Sequence, residues 1–288
     1  MPSQRNIQWF PGHMAKTRRM ISDNLKNVDV VIELLDARIP LSSRNPEIMK
    51  LTENKPRIIL LNKAALADPI STKKWIDTYT NNNTVCIETD CITGQGLNKI
   101  SPAIKDICRT KLEKYEDKGM SGRMLKAMIL GIPNVGKSSL INKICGNKKA
   151  KVENRPGVTL DKQWVATNIG ILLLDMPGIL WPKFEDNTVG ENLAITGAIK
   201  DDILDIETIA CALCARLRDL YPELLAARYK LEGIDLSELS NYDLLSLIGR
   251  KRGFLISGGD IDTERAANML IDEFRAAKIG RITLDKIN

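Results

Sequence analysis

Two hydrophobic patterns divide the chain, and the change between them falls near residue 185. Before that point, short apolar runs rich in β-branched residues recur along the sequence. Such runs are typical of parallel strands that are buried on both faces. We predict strands over residues 28–36, 57–61, 84–88, 124–130, 163–168 and 171–174, with the last two forming a hairpin.

Stretches with helical character separate these strands and then take over completely. We predict helices over residues 13–26, 71–79, 96–114 and 137–145, and later over 191–199, 205–219, 222–231, 240–252 and 262–278. Strands that alternate with helices indicate an α/β fold with a doubly wound, mostly parallel sheet. We therefore expect one α/β domain over residues 1–184 and an all-α domain over residues 185–288.

Composition narrows the class of protein. The chain has 288 residues, of which 43% are hydrophobic and 27% charged, enough apolar residues for a packed core. No apolar run approaches the roughly 20 residues that cross a bilayer, so we expect a cytoplasmic protein without a membrane partner. The net charge of +6 favours a polyanionic partner. The six cysteines are scattered in a way that does not indicate a disulfide framework.

A glycine-rich loop follows the predicted strand 124–130. It reads Gly131-Ile132-Pro133-Asn134-Val135-Gly136-Lys137-Ser138, the G-x-x-x-x-G-K-S pattern of a P-loop, and a helix follows it. Its backbone amides can hold phosphates, Lys137 adds charge at the β- and γ-phosphates, and the Ser138 hydroxyl can bind Mg²⁺. We assign nucleotide binding to Asn134, Val135, Gly136, Lys137, Ser138 and Ser139, with Lys137 also catalytic.

Two further motifs follow the P-loop. Asp175-Met176-Pro177-Gly178 ends a strand, where Asp175 can hold Mg²⁺ through water and Gly178 can donate its N–H to the γ-phosphate. Between the two motifs, Thr159 can complete the metal shell when the triphosphate is bound, which makes it a candidate metal ligand and catalytic residue. Ile179 stands where many GTPases have the glutamine that orients water, so hydrolysis needs another group, a partner or a bound ion.

The base-recognition motif comes before the P-loop, which makes the motif order permuted. Asn62-Lys63-Ala64-Ala65 follows a strand, and Asp90-Cys91 follows the next one; we assign all six residues to base binding. In the GTPase motif N-K-x-D the aspartate accepts from guanine, whereas this chain has Ala65. Its absence should cost base discrimination, unless Asp68 substitutes.

Several motifs together resemble one family, the circularly permuted ribosome-biogenesis GTPases known as GTPase A. They include Trp9-Phe10-Pro11-Gly12-His13-Met14-Ala15-Lys16, Asp36-Ala37-Arg38-Ile39-Pro40, the P-loop and Asp175–Ile179, and the tail Gly280-Arg281-Ile282-Thr283-Leu284. The resemblance runs over essentially the whole chain. It implies a GTPase that assists late assembly of the bacterial large ribosomal subunit, with hydrolysis stimulated by the ribosome.

The resemblance also implies roles for single residues. His13 matches the histidine proposed to replace the catalytic glutamine, and Asn134 matches an asparagine associated with a potassium ion beside the phosphates. The expected ligands are GTP or GDP with Mg²⁺, and the expected partner of a monomeric protein is ribosomal RNA and protein. Basic clusters such as Arg216–Arg218, Arg250–Arg252 and Arg275–Arg281 suit RNA contact.

Two other hypotheses stay open from the sequence. The first is a nucleotide hydrolase with relaxed base preference, which Ala65 suggests. The second is an RNA-binding assembly factor that uses nucleotide only as a ligand, which Ile179 suggests. Turnover of GTP compared with ATP, with and without ribosomes, separates these hypotheses from the leading one.

Overall fold

A six-stranded sheet carries the first part of the chain. The computed structural model describes residues 11–120, 122–146, 164–181, 186–199 and 205–287, with the backbone alone for residues 11–14. The strands are β1 (Val30–Asp36), β2 (Arg57–Asn62), β3 (Thr84–Glu88), β4 (Leu125–Gly131), β5 (Trp164–Ala166) and β6 (Ile171–Asp175). Their order in the sheet is β3-β2-β1-β4-β6-β5, and every pair is parallel except the hairpin of β5 with β6.

Helices cover both faces of the sheet and form the later part of the chain. They are α1 (Pro11–Leu25), α2 (Pro46–Leu51), α3 (Pro69–Tyr79), α4 (Ile100–Ile107), α5 (Arg109–Asp117), α6 (Lys137–Cys145), α7 (Asn187–Ile195), α8 (Ile206–Leu220), α9 (Pro222–Tyr229), α10 (Asn241–Lys251) and α11 (Thr263–Arg275). Two short 3-10 helices span Ala64–Leu66 and Leu97–Lys99. None of the helices in the described part is long and apolar enough to span a bilayer.

The α/β fold class predicted from the sequence is confirmed, with local differences. The helix predicted over 191–199 lies earlier, at Asn187–Ile195. The helix predicted over 96–114 is divided at Cys108, which is buried in the core and ends α4. The helix α2 was not predicted, although Asn45 caps it through its side-chain oxygen and Pro46 occupies its first turn. Both residues are recognised signals for the start of a helix, but the helix that they begin is only six residues long.

The sheet and the helical region share one apolar core. Every residue of β1 is buried, and alternate side chains face opposite sides of the sheet. Ile32 and Ile58 of the sheet belong to the same buried cluster as Leu193 of α7, Leu213 of α8 and Leu284. The division of the chain at residues 184 and 185 into two domains stays a prediction.

Residues 279–285, here called the return segment, lead the chain back from α11 to the loops of the sheet. The Leu284 N–H donates to the Arg38 carbonyl at 2.7 Å. The Asp285 carboxylate accepts from the Ser42 N–H at 2.7 Å and from the Asn192 amide at 2.9 Å. The return segment thereby joins the loop after β1 to α7.

Candidate nucleotide-binding site

The P-loop lies at the carboxyl end of β4, the edge of a parallel sheet where ligands bind in this class of fold. The loop leads into α6, which begins at Lys137, so the first free N–H groups of the helix point into the loop. Gly136 has a φ of 109°, in the left-handed region that favours glycine. The strand, loop and helix around Gly131–Ser138 are therefore those predicted for a phosphate-binding loop.

Asn62 connects the base-recognition motif to the P-loop. Its side-chain nitrogen donates to the Val135 carbonyl at 2.7 Å, and its oxygen accepts from the Cys91 N–H at 3.0 Å. A Cβ at Gly136 would collide with the Asn62 amide. The close approach explains why position 136 needs glycine, and one buried side chain unites three sequence motifs that lie far apart in the chain.

A largely buried ion-pair cluster joins the base-recognition motif to the end of β1. The Asp36 carboxylate lies 2.7 Å from the Arg38 guanidinium and 2.9 Å from the Lys63 ammonium. Burial alone would disfavour the charged form of Asp36. Arg38 and Lys63 outweigh that effect and hold the pKa of this carboxyl well below its usual range. The Lys63 ammonium is thus committed to Asp36, and its backbone takes the left-handed conformation at φ 62°.

The base loop, residues 63–68, has no carboxylate at the position where GTPases use one. Ala64 is buried and Ala65 is exposed. Asp68, the alternative acceptor considered from the sequence, is engaged elsewhere. One of its oxygens accepts from the Ile70 N–H at 2.9 Å and caps α3, and the other lies 3.2 Å from the Tyr221 hydroxyl. The structure therefore does not support substitution by Asp68.

Asp90 and Cys91, which the sequence assigned to base binding, lie in the loop that follows β3. Asp90 turns the chain by accepting from the N–H groups of Ile92 and Thr93, each at 2.9 Å. Such a turn fixes the backbone of a loop through a side chain of its own. Cys91 is buried and bonded to Asn62, so the two loops are held at a fixed separation.

Lys137, Asp175 and Gly178 meet at the phosphate end. The Lys137 ammonium lies 3.3 Å from the carbonyls of Gly131 and Ile132. A Cβ at Gly178 would come within 2.9 Å of that ammonium and 3.0 Å of the Pro133 nitrogen. The Gly178 backbone therefore packs directly on the P-loop, at the place expected for contact with a terminal phosphate.

Partial desolvation by the surrounding atoms shifts the two charged groups at this end towards neutrality. It lowers the pKa of Lys137 and raises that of Asp175, while each charge partly offsets the effect on the other. Ser138, Ser139 and Asp175 are exposed to solvent. A hydroxyl and a carboxylate at the surface are the oxygen ligands that Mg²⁺ prefers, so the residues present fit a nucleotide-bound Mg²⁺.

Ile179 faces the core and not the phosphates. It is 9% exposed and belongs to the apolar cluster that contains Ile21 of α1 and Met128 of β4. A side chain in this position cannot orient water by hydrogen bonding. The same cluster anchors α1, the helix that carries His13, beside the loop that follows β6.

Two predicted site residues lie outside the described part. Thr159 belongs to the stretch 147–163, and the side chain of His13 is not described. Asn134, in contrast, is well placed in the P-loop, where its amide nitrogen donates to the Gly197 carbonyl at 2.8 Å. This bond links the P-loop to the residues that follow α7.

Sequence reasoning missed three residues that shape the site. Asp36 and Arg38 were noted only as part of a family motif, and Arg281 only as part of such a motif and as a basic residue suited to RNA contact. The acidic residue that ends the buried strand β1 was the available signal for Asp36. No local signal indicates Arg281, because its partners are more than 200 residues away in the chain.

Comparisons with known proteins agree with this geometry. A family model described as 50S ribosome-binding GTPase matches residues 126–221. Ribosome biogenesis GTPase A of Bacillus licheniformis is 47% identical over 280 residues, covering 97% of this chain and 98% of that protein. Mitochondrial ribosome-associated GTPase 1 of Xenopus tropicalis is 34% identical over 297 residues, covering 96% and 94%. The structure of GNP-bound YlqF from T. maritima matches with a TM-score of 0.61 at 26% identity, covering 94% of this chain and 98% of that one.

Proposed function

This chain belongs to the ribosome biogenesis GTPase A family of circularly permuted GTPases, and from that premise we propose that it is a Mg²⁺-dependent switch in late assembly of the bacterial large ribosomal subunit. In this proposal the assembling subunit stimulates GTP hydrolysis. The observation that carries it is the convergence of base motif, P-loop and Gly178 at one edge of the sheet. The chain is a GTPase. The proposal concerns its partner, the large subunit, and the event that triggers hydrolysis.

The roles of the phosphate-binding residues follow from their positions. We assign the phosphates to the amides of residues 134–139 and to Lys137, and the metal to Ser138, Thr159 and, through water, Asp175. Bound Mg²⁺ supplies charge that stabilises the transferring phosphoryl group. Gly178 senses the γ-phosphate, since its backbone already lies against Lys137. Base binding falls to Asn62, Lys63, Ala64, Ala65, Asp90 and Cys91.

His13 is the residue we assign to orienting the attacking water. Ile179 supports this assignment, because its side chain packs in an apolar cluster and cannot orient water as a glutamine would. A histidine suits the task, since its ordinary pKa lies near working pH. Potassium beside the phosphates is a further part of the proposal. The Asn134 nitrogen is committed to Gly197, so its side-chain oxygen is the group that such an ion would use.

The structure narrows the set of basic residues that suit RNA contact. The guanidinium groups of several predicted candidates have partners within the chain: Arg216 with Glu191, Arg218 with the Leu239 carbonyl, Arg275 with the Ile195 carbonyl and Arg281 with the base loop. The cations exposed on the surface are the better candidates; they include Arg18, Arg19, Arg250, Lys251 and Lys278. We propose that these residues contact ribosomal RNA phosphates, with an affinity that falls as salt rises.

A turnover experiment tests the proposed function. Hydrolysis of GTP, ATP and ITP is measured without ribosomal subunits, with large subunits and with small subunits. The assay is run in potassium and in sodium buffers, with Lys137→Ala as the matched inactive control. We expect stimulation by the subunits that is specific for GTP and larger in potassium. Equal rates with and without the subunits would contradict the ribosome-gated switch, and stimulation by small subunits alone would contradict the choice of partner.

Relaxed base preference is the second candidate, and it concerns only the substrate. The exposed Ala65 and the engaged Asp68 favour it, because neither offers a carboxylate to the base. In the same assay, ITP turned over as fast as GTP would support this candidate. The remaining alternative, nucleotide acting only as a ligand, requires that hydrolysis stays negligible when ribosomes are present.

A further inference from the structure

The return segment reaches the base loop through one long side chain. The Arg281 guanidinium donates from Nε to the Ala67 carbonyl and from a terminal nitrogen to the Ala64 carbonyl, both at 2.8 Å. These two carbonyls lie at the start and just past the end of the 3-10 helix Ala64–Leu66. A planar guanidinium can satisfy two acceptors at a fixed spacing, which a lysine ammonium cannot do in the same way.

Backbone contacts on either side hold Arg281 in place. The Ile282 N–H donates to the Leu66 carbonyl at 3.2 Å. Thr283 accepts from the Asp68 N–H with its hydroxyl at 3.2 Å. Ile282, Thr283 and Leu284 are buried, so the segment that carries Arg281 is anchored in the core. The return segment therefore contacts the base loop over three consecutive residues, Arg281, Ile282 and Thr283, and not at a single point.

Besides the Lys63 ion pair and the return segment, the described residues support the base loop by a few backbone hydrogen bonds, one of them from the Leu66 N–H to the Lys63 carbonyl at 2.9 Å. The Ala64 N–H donates to the Thr89 carbonyl at 3.1 Å, and the loop closes on itself through the Ala67 N–H to the Ala64 carbonyl at 3.3 Å. The carbonyl of Ala64 therefore accepts from both Ala67 and Arg281. Removing the guanidinium leaves a short 3-10 turn whose own hydrogen bonds have poor geometry.

We propose that Arg281 is a positioning residue for base recognition, holding the loop Lys63–Asp68 against the base of the bound nucleotide. The proposal rests on the nucleotide site described above. With alanine at position 65, the base is held by backbone groups and by Asn62, and such contacts need a loop that is already in position. Arg281 supplies that order from a segment more than 200 residues away in the chain.

The test separates binding of the base from binding of the phosphates. Affinities for GDP and for Mg²⁺-tripolyphosphate, which has no base, are measured by titration calorimetry on the full chain. The variants are Arg281→Ala and Arg281→Lys, with Lys286→Ala as the matched control. Lys286 is an exposed cation five residues further along the chain, so its removal makes the same change of charge.

We expect Arg281→Ala to weaken GDP binding about tenfold, the loss of two hydrogen bonds that order a binding loop, and to leave tripolyphosphate binding within about twofold. Arg281→Lys should lie between the wild type and alanine, and Lys286→Ala should match the wild type. Equal weakening of both ligands by Arg281→Ala would overturn the proposal, because a general loss of structure produces that result. Unchanged GDP affinity would overturn it as well.

A second variant keeps the proposal testable if Arg281→Ala fails to fold. The Tyr221 hydroxyl lies 3.2 Å from Asp68 and 3.1 Å from the Thr283 carbonyl, at the junction of the two segments. Tyr221→Phe should weaken GDP binding about two- to fivefold without affecting tripolyphosphate. A wild-type chain that binds neither ligand would instead contradict the nucleotide site itself, so the two failures are distinguishable.

Discussion

The two ends of the nucleotide site differ in how they are joined to the helical region. At the base end, the loop Lys63–Asp68 is bonded to Arg281, Ile282 and Thr283 and supported by the buried pair Asp36–Arg38. At the phosphate end, the described residues show one hydrogen bond between the P-loop and the helical region. It runs from the Asn134 amide to the Gly197 carbonyl. The base end is thus built for a fixed position.

This difference bears on how a nucleotide signal can reach a partner. A switch needs two arrangements of similar free energy, and many buried bonds oppose a second arrangement. The single exposed amide of Asn134 opposes it far less. We therefore expect movement between nucleotide states to occur at the phosphate end, where Gly178 precedes α7 by only nine residues, while the base end acts as the fixed reference.

The largest effect should come from breaking the ion-pair cluster at the base end. Asp36→Asn leaves the buried Arg38 and the half-buried Lys63 without their counter-charge, and we expect a loss of about 3–5 kcal/mol in the free energy of unfolding. Chemical denaturation measures it. A loss below about 1 kcal/mol, the value for surface pairs, would mean that the cluster does not fix this end.

The same cluster predicts a pH dependence. The pKa of Asp36 is depressed in the folded state, so its contribution to stability is complete above the unfolded pKa of about 3.9 and is lost as pH falls below that value. Between pH 6 and pH 3 the wild type should lose more stability than Asp36→Asn does. Parallel curves for the two proteins would contradict this assignment.

Gly178→Ala should affect the phosphate end alone. The added Cβ would lie 2.9 Å from the Lys137 ammonium and 3.0 Å from the Pro133 nitrogen, so the backbone must shift away from the γ-phosphate. We expect hydrolysis to fall about a hundredfold, as when one donor to the transition state is removed, with GDP affinity nearly unchanged. An equal loss of GDP affinity would show that the two ends are not independent.

Ala65→Asp should sharpen the base end. A carboxylate at this exposed position can accept from the N1–H and from the exocyclic N2 amino group of guanine. Hypoxanthine lacks the amino group. We expect the preference for GDP over inosine diphosphate to increase about tenfold. Ala65→Asn, of nearly the same size but uncharged, is the matched control. If both variants leave the preference unchanged, the base does not lie against residue 65.

Asn134→Ala should give the smallest effect and concerns the link to the helical region. Stability should change by about 0.5–1 kcal/mol or less, because the amide is exposed. The difference between the GTP and GDP states in affinity for the large subunit should shrink by a few fold. An unchanged difference would show that the signal passes elsewhere.

The sheet could be predicted from the sequence because its signals are local. Each strand is a short apolar run, and the P-loop and Asp175 follow such runs directly, so their meeting at one edge follows from parallel pairing. The same reasoning placed Asn62 and Cys91 near the P-loop. The bond from Asn62 to Val135 then confirms their proximity at the level of atoms.

The contacts that distinguish this site could not be predicted in that way. Arg281 and Asp285 find their partners through the path of the whole helical region, which no short pattern specifies. Asp68 shows the opposite limit. Its position three residues past Ala65 suggested a base ligand, whereas the preference of aspartate for helix N-caps determined its place before α3.

The position of the return segment along the chain has a consequence for synthesis. A nascent polypeptide emerges from its N-terminus, so the strands β1 to β4 can pair before residues 281–285 exist. Until those residues arrive, the turn Ala64–Leu66 lacks Arg281, and the loop after β1 lacks Asp285. We therefore expect the newly made protein to bind its nucleotide with full affinity only after most of the chain has been translated.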